Sequence, residues 1–235
     1  MVRVEVLLYC DMRIILRLLH SHMPVVPTDA LKPRKSPRQT RSTATVTAIH
    51  EATIQVLLSD GIARLTTTRV AQRAGVSVGT MYQYFPHKQA LLYAVLDQYL
   101  DEVVVAIEEA CARYKGARLC DMSDGLVRAY LDAKLRYLPG SLALYTFAAD
   151  LDTASLISDV LQRTDRAIER LLASAPDGGF DDIATVTFAV RALLVGTVRA
   201  GLENDVSPAA LAMLRTQVPL MCRAYLVAAS RGGAT

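Results

Sequence analysis

The sequence has no tryptophan, four cysteines, four histidines and an aromatic share of 6%. Cys10, Cys111, Cys120 and Cys222 are scattered with no CxxC pair, which excludes a disulfide framework or a zinc ribbon as the organising device. Reduced thiols in a cytoplasmic chain are expected, with a redox-sensing pair as the alternative. His20 and His22 flank one serine with no third ligand nearby, so neither a metal nor a cofactor is expected. GxSxG, HExxH and phosphate-loop patterns are missing, and no histidine stands close to a Ser or Cys in an arrangement that suggests catalysis. The expectation is a non-enzyme; a site assembled from distant residues is the alternative. A long apolar run is missing from the first residues too. Between Met1 and His22 the valines, leucines and isoleucines are broken by Arg3, Glu5, Asp11, Arg13 and Arg17, and no small-residue cleavage site follows. No membrane partner is expected. Met12 and Met23 offer later starts, and the segment reads as a misassigned start, with a weak amphipathic helix as the second reading.

Acidic residues are scarce in one stretch only. From Ala30 to Ala90 there are nine Lys or Arg against two acids, Glu51 and Asp60, a balance of +7. From Leu91 onward fourteen basic residues meet eighteen acidic ones, a balance of −4. The formal net charge of +3 hides this split. It suggests a basic head, suited to a polyanion, on a mildly acidic body. Residues 1–40 form an N-terminal extension. Four prolines between Pro24 and Pro37 deny it regular structure, and a basic arm at 32–41 (Lys32, Arg34, Lys35, Arg38, Arg41) either follows nucleic-acid phosphates or is a soluble linker.

What the chain does have is helical periodicity and few strand signals. Ile49, Ala52, Val56 and Leu57 mark the buried stripe of a helix from Thr43 to Asp60 that Gly61 ends, and Ile62 and Leu65 close a small core. The stretch from Thr66 to Lys88, TTTRVAQRAGVSVGTMYQYFPHK, reads as two short helices joined by a tight turn. Thr66 or Thr67 can cap the first, because a Thr side-chain oxygen accepts an unpaired first-turn N–H. Gly75 can take the left-handed conformation that ends it, Ser77 can cap the second helix, and Pro86 suits the start of a third. Two helices set across each other by a glycine-containing turn make a helix-turn-helix. The second helix offers Ser77, Gly79, Thr80, Gln83 and Tyr84 on its outward side, none of them acidic. Such a helix suits a major groove, where Gln, Ser and Thr read base edges and a methyl group touches thymine. Lys88, in the first turn of the next helix, is placed to meet a phosphate.

GVSVGTMYQYFPHKQALL, with TTTRVAQRA before it, resembles the DNA-binding signature of the TetR (tetracycline-repressor) family over about Thr43 to Tyr99. The resemblance implies an all-α homodimer that binds a palindromic operator in double-stranded DNA, represses transcription and is released by a small-molecule effector. Carried over position by position, Thr67 and Thr68 contact the DNA backbone, and Val78, Gly79, Thr80 and Gln83 face bases. Tyr82, Tyr84 and Lys88 grip phosphates. Periodicity also allows Val78 to turn inward beside Met81, so its side remains open. A TetR-like regulator that is anchored on DNA, acts on another protein and takes no small ligand is the alternative function.

The implied organisation is a three-helix DNA-binding head at 41–88, its helix-turn-helix at about 66–85, and a helical effector-binding and dimerisation bundle at 89–235. Pro86 to about Tyr114 reads as one connecting helix of about 40 Å, at 1.5 Å per residue. Further helices are expected at Met122–Tyr137, Gly140–Asp150, Thr153–Ser174, Asp181–Glu203 and Ser207–Ser230. Leu126, Tyr130, Tyr137, Leu144, Tyr145 and Phe147 either line a largely apolar effector pocket or are ordinary core. The last two helices are apolar nearly all round and must be covered; the resemblance implies that they form a four-helix interface with a second subunit. Arg191, Leu194, Val198, Arg199, Leu214, Val218 and Met221 are the candidates for that interface. Gly196 and Gly201 permit close approach, and Pro219 interrupts the last helix. Arg191 and Arg199 need anionic partners: an acid across the dimer is the favoured reading, an acidic ligand the other.

Overall fold

Apolar spacing of about 3.6 becomes helix along the chain. The computed structural model describes residues 40–136, 153–204 and 206–231, and holds eight α-helices, one 3-10 turn and no strand among the described residues. The helices are α1 (Thr40–Asp60), α2 (Thr67–Ala74), α3 (Val78–Tyr84) and α4 (Lys88–Arg113), followed by α5 (Leu119–Arg136), α6 (Ala154–Leu172), α7 (Ile183–Asn204) and α8 (Pro208–Ala229). The fold is all-α. The helix expected at Gly140–Asp150 lies outside the described residues.

The chain forms two compact units. Among the described residues the first holds 40–99 and 153–156, and the second holds 100–136, 157–204 and 206–231. In the first, the expected stripe on α1 is buried: Ile49, Ala52, Val56 and Leu57 are at most 4% exposed. Val70 and Ala71 of α2, Met81 of α3, Phe85, Leu65 and Leu91, Leu92 and Leu96 of α4 complete this core, all within 2% of full burial. Each large side chain buried in this way contributes about 1.5–3 kcal/mol relative to exposure, before its ordering entropy is subtracted. Gly61, at φ 75, stops α1 where an L-residue would be strained. Ile62 is half-buried and lies in the 3-10 turn Ile62–Arg64.

In the second unit α8 packs against both α5 and α7. Its N-terminus is fixed by Ser207, whose side chain accepts the N–H of Ala210 at 3.2 Å, with Pro208 in the first turn. Gly201 of α7 faces Leu214 of α8 so closely that a Cβ there would come within 2.8 Å of a leucine methyl. Gly196 has open space around it within the chain. Arg163 of α6 grips the later half of α4, donating to Glu108 at 2.8 and 3.1 Å and to Asp101 at 2.5 Å. By length and composition alone, Ile183–Leu202 within α7 could cross a membrane.

The placement of the apolar residues on α7 and α8 corrects the interface reading. Leu194, Val198, Leu214 and Val218 are at most 2% exposed and form the core of their own subunit, while Met221 and Arg199 are half-buried. The apolar surface left open is Phe188 (59% exposed), Val195, Met213, Leu220 (56%) and Val227. A helix with apolar residues on every side does not say in its sequence which stripe its own fold takes. Arg191 is corrected as well: its partner is Asp165 of α6, in the same chain. Of the pocket candidates, Leu126 and Tyr130 are buried on α5. Tyr137, Leu144, Tyr145 and Phe147 lie outside the described residues.

Candidate nucleic-acid interface

The turn between α2 and α3 is built from four local hydrogen bonds that its residue types dictate. Thr66 takes an extended conformation, and its hydroxyl oxygen accepts the N–H of Arg69 at 3.2 Å, capping α2. At the other end Gly75 sits at φ 68, which lets its own N–H reach the carbonyl of Gln72 and that of Val76 reach the carbonyl of Ala71. These two bonds satisfy carbonyls that the end of the helix would leave unpaired. Ser77 then caps α3, accepting the N–H of Thr80 at 2.9 Å. Ala71 is fully buried, so no side chain holds α2 away from α1. A short helix is thereby fixed across another at an angle set by backbone chemistry.

The exposed side of α3 and its approaches carries Ser77, Val78, Gly79, Tyr82 and Gln83, with Thr80 half-exposed beside them. Val78 is 41% exposed, although it stands three residues before the fully buried Met81. Thr68, at the start of α2, is exposed too. Two residues depart from the sequence reading. Tyr84 is 7% exposed; three residues after Met81 on a helix, it shares the inner face and lies 6.3 Å, ring to ring, from Phe85. Thr67 is 8% exposed, and its hydroxyl donates to the phenol oxygen of Tyr82 at 3.4 Å, linking α2 to α3. Lys88 is half-buried, and its ammonium donates to the carbonyl of Ile62 at 2.7 Å, clamping the 3-10 turn to the first turn of α4. His87 has a role that the sequence reading missed: its Nδ1 accepts the N–H of Ala90 at 3.1 Å and so caps α4. The signal was its position three residues before Ala90, the spacing of a cap.

The electrostatics follow the composition. Asp60, one of the two acids between Ala30 and Ala90, is paired with Arg69 at 2.8 Å, and its backbone carbonyl accepts Arg64 Nε at 3.1 Å. The hydroxyl of Ser59, then the charges of Arg69 and Arg64, hold its carboxyl below the ordinary carboxylate range. No acidic side chain belongs to α2 or α3. Arg73 reaches back to Gln55 of α1 at 2.9 Å. Residues 32–39 of the basic arm lie outside the described residues. Cys111 and Cys222 are buried, with thiols pushed up to about 12 by burial, so neither is a ready thiolate. Among the described residues no group of three or more His, Cys, Asp or Glu is arranged to hold a metal ion.

Residues 49–95, which span this arrangement, match the family model for bacterial regulatory proteins of the tetR family. Residues 119–226 match the tetracyclin repressor-like C-terminal domain. The chain belongs to the TetR family. Among its relatives is an HTH-type transcriptional regulator of Staphylococcus aureus, 31% identical over 84 residues, or 35% of this chain and 44% of the relative. The HTH-type transcriptional regulator BetI of Stenotrophomonas maltophilia is 38% identical over 81 residues, or 34% of this chain and 39% of that one. The chain thus spans less than half the length of these two relatives. Solved structures share the fold. A TetR-family transcriptional regulator from Mesorhizobium loti superposes with a TM-score of 0.63 at 18% identity, covering 80% of this chain and 98% of its own. The fatty acid degradation regulator FadR from Bacillus halodurans does so with 0.61 at 19% identity, covering 80% and 96%.

Proposed function

We propose that this TetR-family chain is a cytoplasmic, sequence-specific DNA-binding repressor, working as a homodimer on a roughly palindromic operator and released by a largely apolar small molecule. The observation that carries the reading is the acid-free, outward side of α3 in a basic head, braced by caps at Thr66, Gly75 and Ser77. Two such helices one turn of DNA apart fit successive major grooves. The exposed apolar residues on α7 and α8, Phe188, Val195, Met213, Leu220 and Val227, support a second copy as the cover. An effector that binds one head spacing better than another lowers operator affinity by that difference.

The test is equilibrium binding of the full chain to labelled duplex from its own upstream DNA. Specific retention at low salt, weakening steeply as salt rises, is the expected result. Folded protein that retains no duplex above background would overturn the proposal. Tyr82→Phe should weaken every sequence alike, whereas Gln83→Ala should change base preference.

A further inference from the structure

Resting on the reading of α3 as the DNA-reading helix, we infer that Val78 is a specificity residue that reads the C5 methyl group of a thymine in each half-site. The two hydroxyls nearest the start of α3 are committed to each other. Ser77 Oγ and Thr80 Oγ1 lie 2.8 Å apart, and Ser77 Oγ also accepts the N–H of Thr80. The hydroxyl–hydroxyl bond uses one of the two hydroxyl protons, so the pair keeps a single O–H donor for base edges. The first residue of the helix is Val78, apolar and 41% exposed. The N-terminal residues of a recognition helix are the ones that meet base edges. Beside Val78, Gly79 leaves room: a Cβ there would meet only Ser77 Oγ, at 3.7 Å, so nothing within the chain fills that space. In a major groove the thymine methyl is the apolar feature of the four base pairs, and an apolar side chain is its complement. An isopropyl group gains nothing from the N7 and O6 acceptors of guanine. Gln83, one turn on from Gly79, supplies the hydrogen-bonding counterpart, with an amide that matches adenine N6 and N7.

The experiment starts from random duplexes. The full chain selects its preferred sequence, and the selected duplex is then resynthesised with single thymines replaced by uracil, which removes the methyl and keeps every base-pairing group. At one thymine per half-site, the wild-type chain should lose about fourfold in affinity for one replacement and about fifteenfold for both, the value of a buried methyl-sized group. Val78→Ala should bind the thymine and uracil duplexes equally, with an unchanged melting temperature because the side chain is exposed. Val78→Thr, which keeps one methyl, should fall between. A wild-type chain indifferent to uracil at every position overturns the inference, as does a Val78→Ala chain as sensitive as wild type. If no sequence is enriched at all, it is the DNA-binding proposal that fails.

Discussion

Arg191 Nε donates to Asp165 Oδ1 at 2.5 Å, tying the middle of α7 to α6 of the same subunit. The guanidinium also stands 5.4 Å from the ring of Phe188 and is mostly buried, with 16% of its side chain exposed. Losing the carboxylate leaves a positive charge in a poorly solvated place. Asp165→Asn should therefore lower stability by about 1.5 kcal/mol, the low end for a charged hydrogen bond because the aspartate is a third exposed. A double-mutant cycle with Arg191→Met in urea measures the coupling. Sedimentation should show an unchanged mass for Asp165→Asn. A dissociated but folded protein would move this pair to the interface between subunits.

Two glycines of the head should respond in opposite directions. Gly75 sits at φ 68, so Gly75→Ala should cost about 1–2 kcal/mol of stability. Gly79 lies inside a helix without positive φ and has free space around it. There Gly79→Ala should stabilise the protein by about 0.5–1 kcal/mol, since glycine is a poor helix residue. Affinity for duplex should nevertheless fall, because the added methyl stands where DNA approaches. Thermal melts and duplex titrations of the two variants check both signs. A Gly79→Ala chain that binds DNA as tightly as wild type would remove α3 from the groove.

Two helix-start aspartates set an acid limit on stability. Asp177 accepts the backbone N–H of Leu119 at 2.9 Å, and that bond, with Arg118 beside it, holds its carboxyl below the usual 3.8. Asp182 accepts the hydroxyl and then the N–H of Thr185, which lowers its carboxyl below 3.8 as well. A carboxyl with a depressed folded pKa stabilises the fold above its unfolded value. That stabilisation disappears as pH falls through 3.8 towards the folded value. Melting temperature should drop below about pH 4, and Asp177→Asn and Asp182→Asn should each flatten that limb. An unchanged acid limb in both variants would show that these caps do not contribute.

The open stripe on α7 and α8 gives the sharpest contrast between neighbouring residues. Leu220 is 56% exposed and Leu214, on the same helix, is fully buried. Leu220→Glu should yield a folded monomer, since a charge in a contact between apolar faces costs several kcal/mol while one in water costs little. Leu214→Glu should prevent folding. Sedimentation velocity and circular dichroism separate the two. If Leu220→Glu keeps the wild-type mass, the stripe is not where a second copy binds.

Much of the head was legible because its determinants are local. Thr66, Gly75, Ser77 and Gly61 act on backbone groups within five residues of themselves, so residue type and spacing suffice to place the ends of α1, α2 and α3. Ser207 and Pro208 did the same for α8. Tyr84 was misread because α3 has only seven residues, too few for the period to separate an inner from an outer edge at its last position. His87 was missed because imidazole is an uncommon cap and its role depends on a ring rotamer. In the body the sequence announced two apolar helices without showing which stripe each would hide.

Among the described residues the amino-acid order by itself determined which stretches become helix, the caps of the helix-turn-helix, the basic balance of the head and the absence of acid from α2 and α3, since each depends on neighbours a few bonds apart. The start of α5 at Leu119 and not Met122 shows where spacing alone falls short. Only the tertiary structure decided that Arg191 takes Asp165, that Leu194 and Leu214 are core while Phe188 and Leu220 stay open, and that Ser77 and Thr80 occupy each other. Those choices depend on which surfaces meet in space, and a chain apolar on several sides or offering several acids to one arginine leaves them to packing.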